Sequence, residues 1–587
     1  MKVVFISDFY SKDLLGGAEL NDSVLIRFLS NQFEVICVHS HMLTYQQIIE
    51  NEVFIVSNFA NLSEQNKKLL QYKKYIIYEH DHKYVVNRDP SIFVNFKIPQ
   101  HMIINEEFYK NAYKVIVLSK ICKQILENNL RCDNVVSIGT SLWSKEKFDY
   151  LKSLSENIKK IHTYGVIKSK NPIKGTSQAL QYCEKNNITP YLINSQNEKD
   201  FLFSISKIEN LIFIPQVLET FNRLVVEAKI LECKVLTNPK KIGFFSEDIS
   251  KLAGKELLEC ISKRVDSALD LFSVYLREMF SFTKNEKIAF IGKFDNLYDE
   301  EAKARSLEDN GFNVFRFDER TFERSALSNK KILFDLSPNY VFFTKLRIPS
   351  ASVLIDECKK RDIKTVCWVP DLYFGIEREK EIPCNPIFKS DFIFTPDGGN
   401  QERFESLGIN HHCVRQGISS QYICDFINEE KKYDIVFIGT LQKCHGPRRA
   451  KLLKFLEETY GDRFFWFGKA GDNQYRGEKL KQIYQNSKIV IGDCVPSDFY
   501  WSNRVYEAAG RGSFLLHPYI EGLEREFEDE KNIVFFELDN FIDLKEKIDF
   551  YLQHPEKRKQ ISKNAFKKVK ENYLIDNRTR QIMEIIK

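Results

Sequence analysis

The chain lacks any pair of cysteines spaced C-x-x-C, although 13 cysteines are scattered along its 587 residues from Cys37 to Cys494. Their number is odd, no disulfide framework is legible and no zinc-type spacing is present, which fits a reducing cytosol. No apolar run approaches the ~20 residues that a membrane-spanning helix needs. The N-terminal MKVVFISDFY reads as a β-strand running into a loop, without the apolar core and cleavage site of a secretory leader, so none is expected. Low-complexity tracts and Gly/Ser- or Pro-rich linkers are absent too. Neither charge dominates: 86 basic against 81 acidic residues leave +5, which gives no general argument for nucleic-acid binding. These absences point to a cytoplasmic globular protein, peripheral to the inner membrane face if its partner is membrane-borne.

The chain is ordinary in proportion, 43% hydrophobic and 28% charged, but long enough for about three to five domains. Short β-type runs alternate with amphipathic segments throughout, the pattern of βα units and parallel sheets. Four runs read as the first strand of a Rossmann-like lobe: Lys2–Ser7, Lys160–Ile167, Lys287–Gly292 and Tyr433–Gly439. The expected fold class is α/β, with two consecutive two-lobed modules and a cleft between the lobes of each. The lobes are placed at residues 1–155, 156–275, 285–430 and 431–587. The helical pattern of Lys251–Leu271 is expected to give out before a join near Phe272–Glu286, and Glu556–Lys587 reads as helix.

The segment Ile214–Asn238 (IPQVLETFNRLVVEAKILECKVLTN) has the order strand, loop, helix, strand. It puts Glu219 on a loop at the carboxyl end of a strand and Glu227 on the following helix, where open α/β sheets bind ligands. Gly16 and Gly17 precede a helix (Leu20–Leu29), so the backbone can approach a ligand and free N–H groups suit an anion. His80, Asp81 and His82 follow the strand Tyr75–Tyr78 and suit polar substrate contacts; alternate residues on one loop rarely close a metal site, and none is expected. Ser119 reads as a helix cap rather than a nucleophile. The loop YGVIKSKNPIKG brings Lys168, Lys170 and Lys174.

In the second half, DFYWSNRVYEAAGRGSFLLH (Asp498–His517) offers Ser502 and Asn503 as helix caps. Arg504 and Glu507 lie three residues apart on one face of that helix, and Gly510 and Gly512 end it. Arg448 and Arg449, in HGPRRAKLL near a helix start, suit a phosphate. Asp371 in WVPDLYFG is a candidate acceptor contact or base, or a turn former after Pro370. Asp397 in TPDGGNQERF reads as a helix cap.

The Glu219/Glu227 frame resembles the nucleotide-sugar site of retaining family 4 glycosyltransferases, and GGAE (Gly16–Glu19) resembles that family's first-lobe loop beside the donor diphosphate and the acceptor. The second half, roughly Lys287–Tyr573, resembles CgeB-like glycosyltransferases. The resemblance implies two GT-B modules and glycosyl transfer from a nucleotide-sugar, a UDP- or GDP-sugar, with retention in the first module. It implies no cofactor and no metal, because cations and helix N-termini can neutralise the leaving diphosphate. Residue by residue, it implies Glu219 and either His80 or His82 on the transferred sugar, Glu227 on the donor ribose and Lys174 on the phosphates. The family's arginine position after Gly165 holds Val166; Lys168 or Lys170 would substitute, as a point charge in place of a bidentate fork. Glu507 takes the place of Glu227 in the second half, while Phe499 stands where the first glutamate would be, with Asp498 beside it.

The implied acceptor is a glycan, lipid-linked or protein acceptor in surface polysaccharide or glycoconjugate synthesis, with two linkages if both modules work. Two other readings stand beside this one. A phage-type DNA base glycosyltransferase is disfavoured by the near-neutral charge, and a sugar-nucleotide-binding scaffold with a degenerate second module by the intact Glu219/Glu227 frame.

Overall fold

Val3–Ser7 are buried without interruption, as are Val53–Val56 and Tyr340–Phe343. Unbroken apolar runs of this length suit strands covered on both faces, which is the environment of parallel sheets. In the computed structural model every pairing between named strands is indeed parallel. The structure describes residues 1–587 except 15, 157–158, 195–196, 284, 296–298, 324–328, 425–429, 442–445 and 470–474. His445 of the HGPRR motif therefore lies outside the described residues. The chain divides into two units, Met1–Lys284 and Asn285–Lys587.

The first unit holds β1 (Lys2–Ser7), β2 (Glu34–His39), β3 (Val53–Val56), β4 (Lys74–Tyr78), β5 (Lys114–Val117) and β6 (Val135–Ser137) in one sheet. Its second sheet holds β7 (His162–Ile167), β8 (Tyr191–Ile193), β9 (Ile208–Ile212) and β10 (Lys234–Leu236). The orders are β2-β1-β3-β4-β5-β6 and β10-β9-β7-β8. The second unit repeats the plan. Its first sheet holds β11 (Lys287–Gly292), β12 (Asn313–Asp318), β13 (Tyr340–Phe343), β14 (Lys364–Trp368), β15 (Phe392–Thr395) and β16 (His411–Cys413). Its second holds β17 (Tyr433–Ile438), β18 (Phe464–Phe467), β19 (Ser487–Ile491), β20 (Leu515–Pro518) and β21 (Val534–Phe536). These run β12-β11-β13-β14-β15-β16 and β18-β17-β19-β20-β21. In every sheet the lobe's first strand lies between its second and third, so the winding reverses there. Ligands of open α/β sheets bind at the carboxyl ends of the strands flanking such a reversal.

The last helix of each unit packs on that unit's first lobe. Helix Gly254–Thr283 contributes Phe272, Leu276 and Met279 to a core shared with Val3, Phe5 and Val53, and Phe272 meets Tyr78 edge-on at 5.1 Å. This helix runs on past Leu271, where the sequence pattern was expected to give out, because its next turns continue along that core. The C-terminal stretch corrects a second expectation: Glu556–Lys587 is two helices, Pro555–Asn572 and Ile575–Ile586. The break comes from tertiary pairing. Ile418 N–H donates to Tyr573 O at 3.1 Å and Ile575 N–H to Ile418 O at 3.0 Å, which holds Leu574 extended. Beyond the break Ile575, Ile582 and Ile586 join Ile288, Phe290 and Phe342 in the first-lobe core.

Two histidines are buried in the second unit with no ion pair among the described residues. His411, on β16, lies flat on Phe404 with ring centroids 3.9 Å apart and bonds Thr395 Oγ1 at 2.8 Å. His517, on β20, is fully buried. Burial pushes their pKa values down, to about 3 for His411 and about 4 for His517. The unfolded chain takes up these protons below about pH 6.5, whereas the folded one stays neutral, so stability is complete above that pH and falls as the pH drops toward 4. Urea unfolding at pH 7 and pH 5 should show a loss of about 3–4 kcal/mol, about 2 from each histidine, roughly halved in His517→Asn; equal stability at both pH values contradicts the assignment.

Candidate active site

In the second lobe of the first unit the winding reverses between β7 and β9, and the loops after these two strands meet through an ion pair. Lys174 Nζ lies 2.8 Å from Glu219 Oε1, with the lysine side chain 39% and the glutamate 15% exposed. The contact depends on Gly175. Its φ is +68°, and a Cβ there would fall 1.7 Å from Ile214 O, so only glycine lets the two loops approach. Lys168 and Lys170 are exposed on the same loop.

Glu219 also pairs with Ile242 through a parallel bridge. Its neighbour Thr220 donates from Oγ1 to the carbonyl of His80 at 2.9 Å, so the Glu219 loop touches the His80 loop of the first lobe. His80 Nε2 lies 3.2 Å from Asp22 Oδ1, and Asp22 also accepts from Ser7 Oγ at 3.1 Å and Ser57 Oγ at 2.7 Å. Of the two histidine alternatives, His80 is therefore the one placed against the Glu219 loop. His82 turns away through a positive φ of 58° and lies buried with its Nδ1 3.1 Å from Tyr84 Oη. Burial lowers its pKa.

Glu227 is not brought together with Glu219. It is 5% exposed, accepts from Trp143 Nε1 at 2.9 Å and lies 3.3 Å from Lys147 Nζ. Its carboxylate serves a buried cluster. At the glycine loop the helix starts at Gly17, and a Cβ on Gly16 would fall 2.2 Å from Glu19 Oε2. A buried carboxylate of the chain itself thus sits at the helix start that the glycines were expected to offer to an anion; burial raises its pKa.

Ser119 takes the N-cap position of helix Lys120–Leu130 but makes no capping bond, contrary to expectation. The free N–H groups go to the second lobe instead: Lys120 N–H donates to Glu247 Oε1 at 2.7 Å and Ile121 N–H to Ser246 Oγ at 3.2 Å.

The second unit contains a cavity of about 720 Å³ between its lobes. The first lobe lines it with Lys293 after β11, Glu319 after β12, and Thr344, Lys345 and Arg347 after β13. Helix Asp299–Asp309 adds Asp299, Glu300, Glu301 and Lys303 to that wall, so carboxylates and cations share it. The second lobe contributes Arg476, Glu507 and Arg511, and the connection between the lobes contributes Tyr422. Glu507 is partly buried and ion-paired with Arg511, one helical turn on; Asn503 Nδ2 donates to it at 3.3 Å. Burial pushes the Glu507 pKa up and nearby Asp299 adds to this, against the pull of Arg511. Arg511 is 2% exposed and lies near the rings of Tyr422 and Tyr484.

The other sequence candidates in this unit hold structure together. Arg449 is ion-paired with Asp493 and donates to Thr440 O at 2.8 Å, tying the loops after β17 and β19. Arg504 bonds the same edge through Ile438 O at 2.8 Å and Asp493 O at 3.1 Å, so it does not share a target with Glu507. Arg448 pairs with Asp539 at 3.0 Å. Asn503 occupies the N-cap with helical angles and makes no side-chain cap, and Ser502 Oγ turns to Asp493 O; the expected caps are not formed. Asp397 bonds Gly399 N–H and the Asn400 side chain rather than capping a helix. Asp371 is 2.7 Å from Lys345 Nζ and 2.6 Å from Arg378, which together hold its pKa low against burial. Asp498 is exposed. Among the described residues no three His, Cys, Asp or Glu side chains cluster closely enough to hold a metal ion, and no helix is long and apolar enough to cross a membrane.

Sequence reasoning missed Lys303, Lys345, Arg347 and Arg511. For Arg511 the signal was available, since it follows Glu507 by four residues in a helical segment. The first-lobe cations carry no motif; only the fold collects them.

Two Rossmann-like lobes with a crossing terminal helix are the GT-B class of fold, and the chain holds two such modules in series. A family model described as glycosyl transferase-like matches residues 448–584, most of the last lobe. Solved structures that match about half of the chain include sucrose-phosphate synthase from Thermosynechococcus elongatus (12% identity, TM-score 0.39, covering 51% of this chain and 98% of that one). A glycosyltransferase from Rickettsia africae ESF-5 gives 12% identity and a TM-score of 0.37 over 51% of this chain and 97% of that one. Anabaena Alr3699/HepE, in complex with UDP-glucose, gives 13% identity and 0.36 over 51% and 99%. No curated protein matches the sequence.

The different settings of the two first-unit glutamates have a measurable consequence. Glu227→Ala leaves the buried Trp143 N–H without its acceptor, while Lys147 keeps Glu198 at 2.6 Å, and should cost about 1–3 kcal/mol. Glu219→Ala removes a partly exposed pair and should cost less than about 1 kcal/mol. Denaturant unfolding of both variants, followed by fluorescence, separates them; a Glu227→Ala protein as stable as Glu219→Ala would show that the Glu227 cluster is not formed.

Proposed function

We propose that the chain is a glycosyltransferase that moves sugar from a UDP- or GDP-sugar to a glycan, lipid-linked or protein acceptor in surface polysaccharide or glycoconjugate synthesis. The observation that carries this reading is the second-unit cleft. It lies at the carboxyl ends of parallel strands, and Glu507 and Arg511 on its wall fall inside the stretch that matches the glycosyl transferase-like family.

Glycosyl transfer needs cations on the departing diphosphate and carboxylates on the hydroxyls that fix the sugars. Arg476 and Arg511 on the second-lobe wall are suited to the first task. Glu507, held by Arg511, is suited to accept ribose or sugar hydroxyls. Neutralisation by side-chain cations supports transfer without a bound metal ion. In the first unit Lys174, Glu219 and His80 support a sugar and phosphate contact, with retention as the stereochemical outcome. Burial of Glu227 leaves the ribose to other groups there unless its cluster opens. The first unit either makes a second linkage or holds the acceptor.

A panel of UDP- and GDP-sugars tests the reading on the full chain. At 100 times its dissociation constant the true donor should stabilise the protein by about 2.7 kcal/mol and should be consumed in the presence of EDTA. Glu507→Ala should lower donor consumption by the second unit at least ~100-fold. A panel without stabilisation and without donor consumption would overturn the proposal.

A further inference from the structure

Lys303 is a buried lysine with little to bind. It is 5% exposed and lines the second-unit cleft. Among the described residues its ammonium reaches one acceptor, the carbonyl of Trp368 at 3.3 Å, and it lies 4.4 Å from the centroid of the Trp368 ring. No ion pair joins it to a carboxylate among the described residues; Asp299 and Glu300 act on it only through their fields, and Glu300 accepts from Thr344 Oγ1 at 2.8 Å. An ammonium has three donors, and a buried cation without a counter-charge is expensive to keep. Burial lowers its pKa, with Lys345 adding to this and Asp299 and Glu300 opposing it. An anion in the cleft would remove this cost.

Two more cations follow β13 on the same wall. Lys345 leans on Asp371 at 2.7 Å. Arg347 is exposed, and its guanidinium makes no ion pair among the described residues. All three come from the first lobe, whereas Arg476, Glu507 and Arg511 come from the second.

We propose that Lys303, Lys345 and Arg347 form an oxyanion subsite for a phosphate-bearing acceptor. This rests on the transfer reading above: if the second-lobe wall takes the donor, a second anion held by the first lobe belongs to the other substrate.

Calorimetric titration of the full chain with inorganic pyrophosphate, with and without saturating UDP, tests the subsite. Lys303→Met and Arg347→Gln should each weaken pyrophosphate binding at least tenfold, and UDP should leave that binding within about twofold of its value alone. Wild-type affinity in both variants would overturn the subsite. Displacement of pyrophosphate by UDP, one for one, would overturn its assignment to the acceptor. Arg347 is exposed, so its variant decides the matter even if Lys303→Met folds poorly. Pyrophosphate binding requires no sugar donor, so failure of the transfer reading would show separately, as a chain that consumes no nucleotide-sugar.

Discussion

A parallel strand cannot be joined to its neighbour by a tight turn; the chain must cross the sheet and return. The rule applies to all 21 strands among the described residues. It puts the amino ends of the strands on one edge of each sheet and the carboxyl ends on the other. The chain leaves the carboxyl edge through loops that are free to carry polar groups. The reversal of winding beside each lobe's first strand then opens a crevice at that edge. Lys174 and Glu219 meet at one such point, Lys293 and Lys345 flank another, and Thr440 and Asp493 flank a third. The chemistry is concentrated where the topology leaves room for it.

The charged residues at these points divide by how far the chain itself consumes them. Glu227, Arg449 and Arg504 are absorbed by contacts that tie loops and helices together. Glu507 and Arg511 neutralise one another yet still line a cavity. Lys303 is only weakly partnered. A residue of the right type at the right edge can thus be structural, held in reserve or under-satisfied, and only its partners tell which.

This distinction explains how much the sequence could reveal. The α/β class, the four lobe-opening strands and the loop position of Glu219 were legible, because hydrophobic period and strand-end polarity are local properties. The break at Tyr573–Leu574 was not, since it is imposed by Ile418, more than 150 residues upstream. Nor was the length of helix Gly254–Thr283, which its packing partners in the first lobe sustain. Within the candidate sites, side-chain destinations were not legible. Glu227 looked like the twin of Glu219 until Trp143 and Lys147 claimed it. The cations of the second-unit first lobe had no sequence signature, as they come from separate loops that only the sheet brings together.

The crossing of Ile575–Ile586 onto the first lobe of the second unit bears on the order of events during synthesis. Ile288, Phe290 and Phe342 need Ile582 and Ile586 to complete their core. The ribosome makes the intervening second lobe before it makes those isoleucines. At about 5–20 residues per second, the half-built first lobe waits roughly 9–35 s with an apolar face uncovered. Its strands are parallel and its core is closed last, so the apolar face of the nascent lobe stays exposed through that interval.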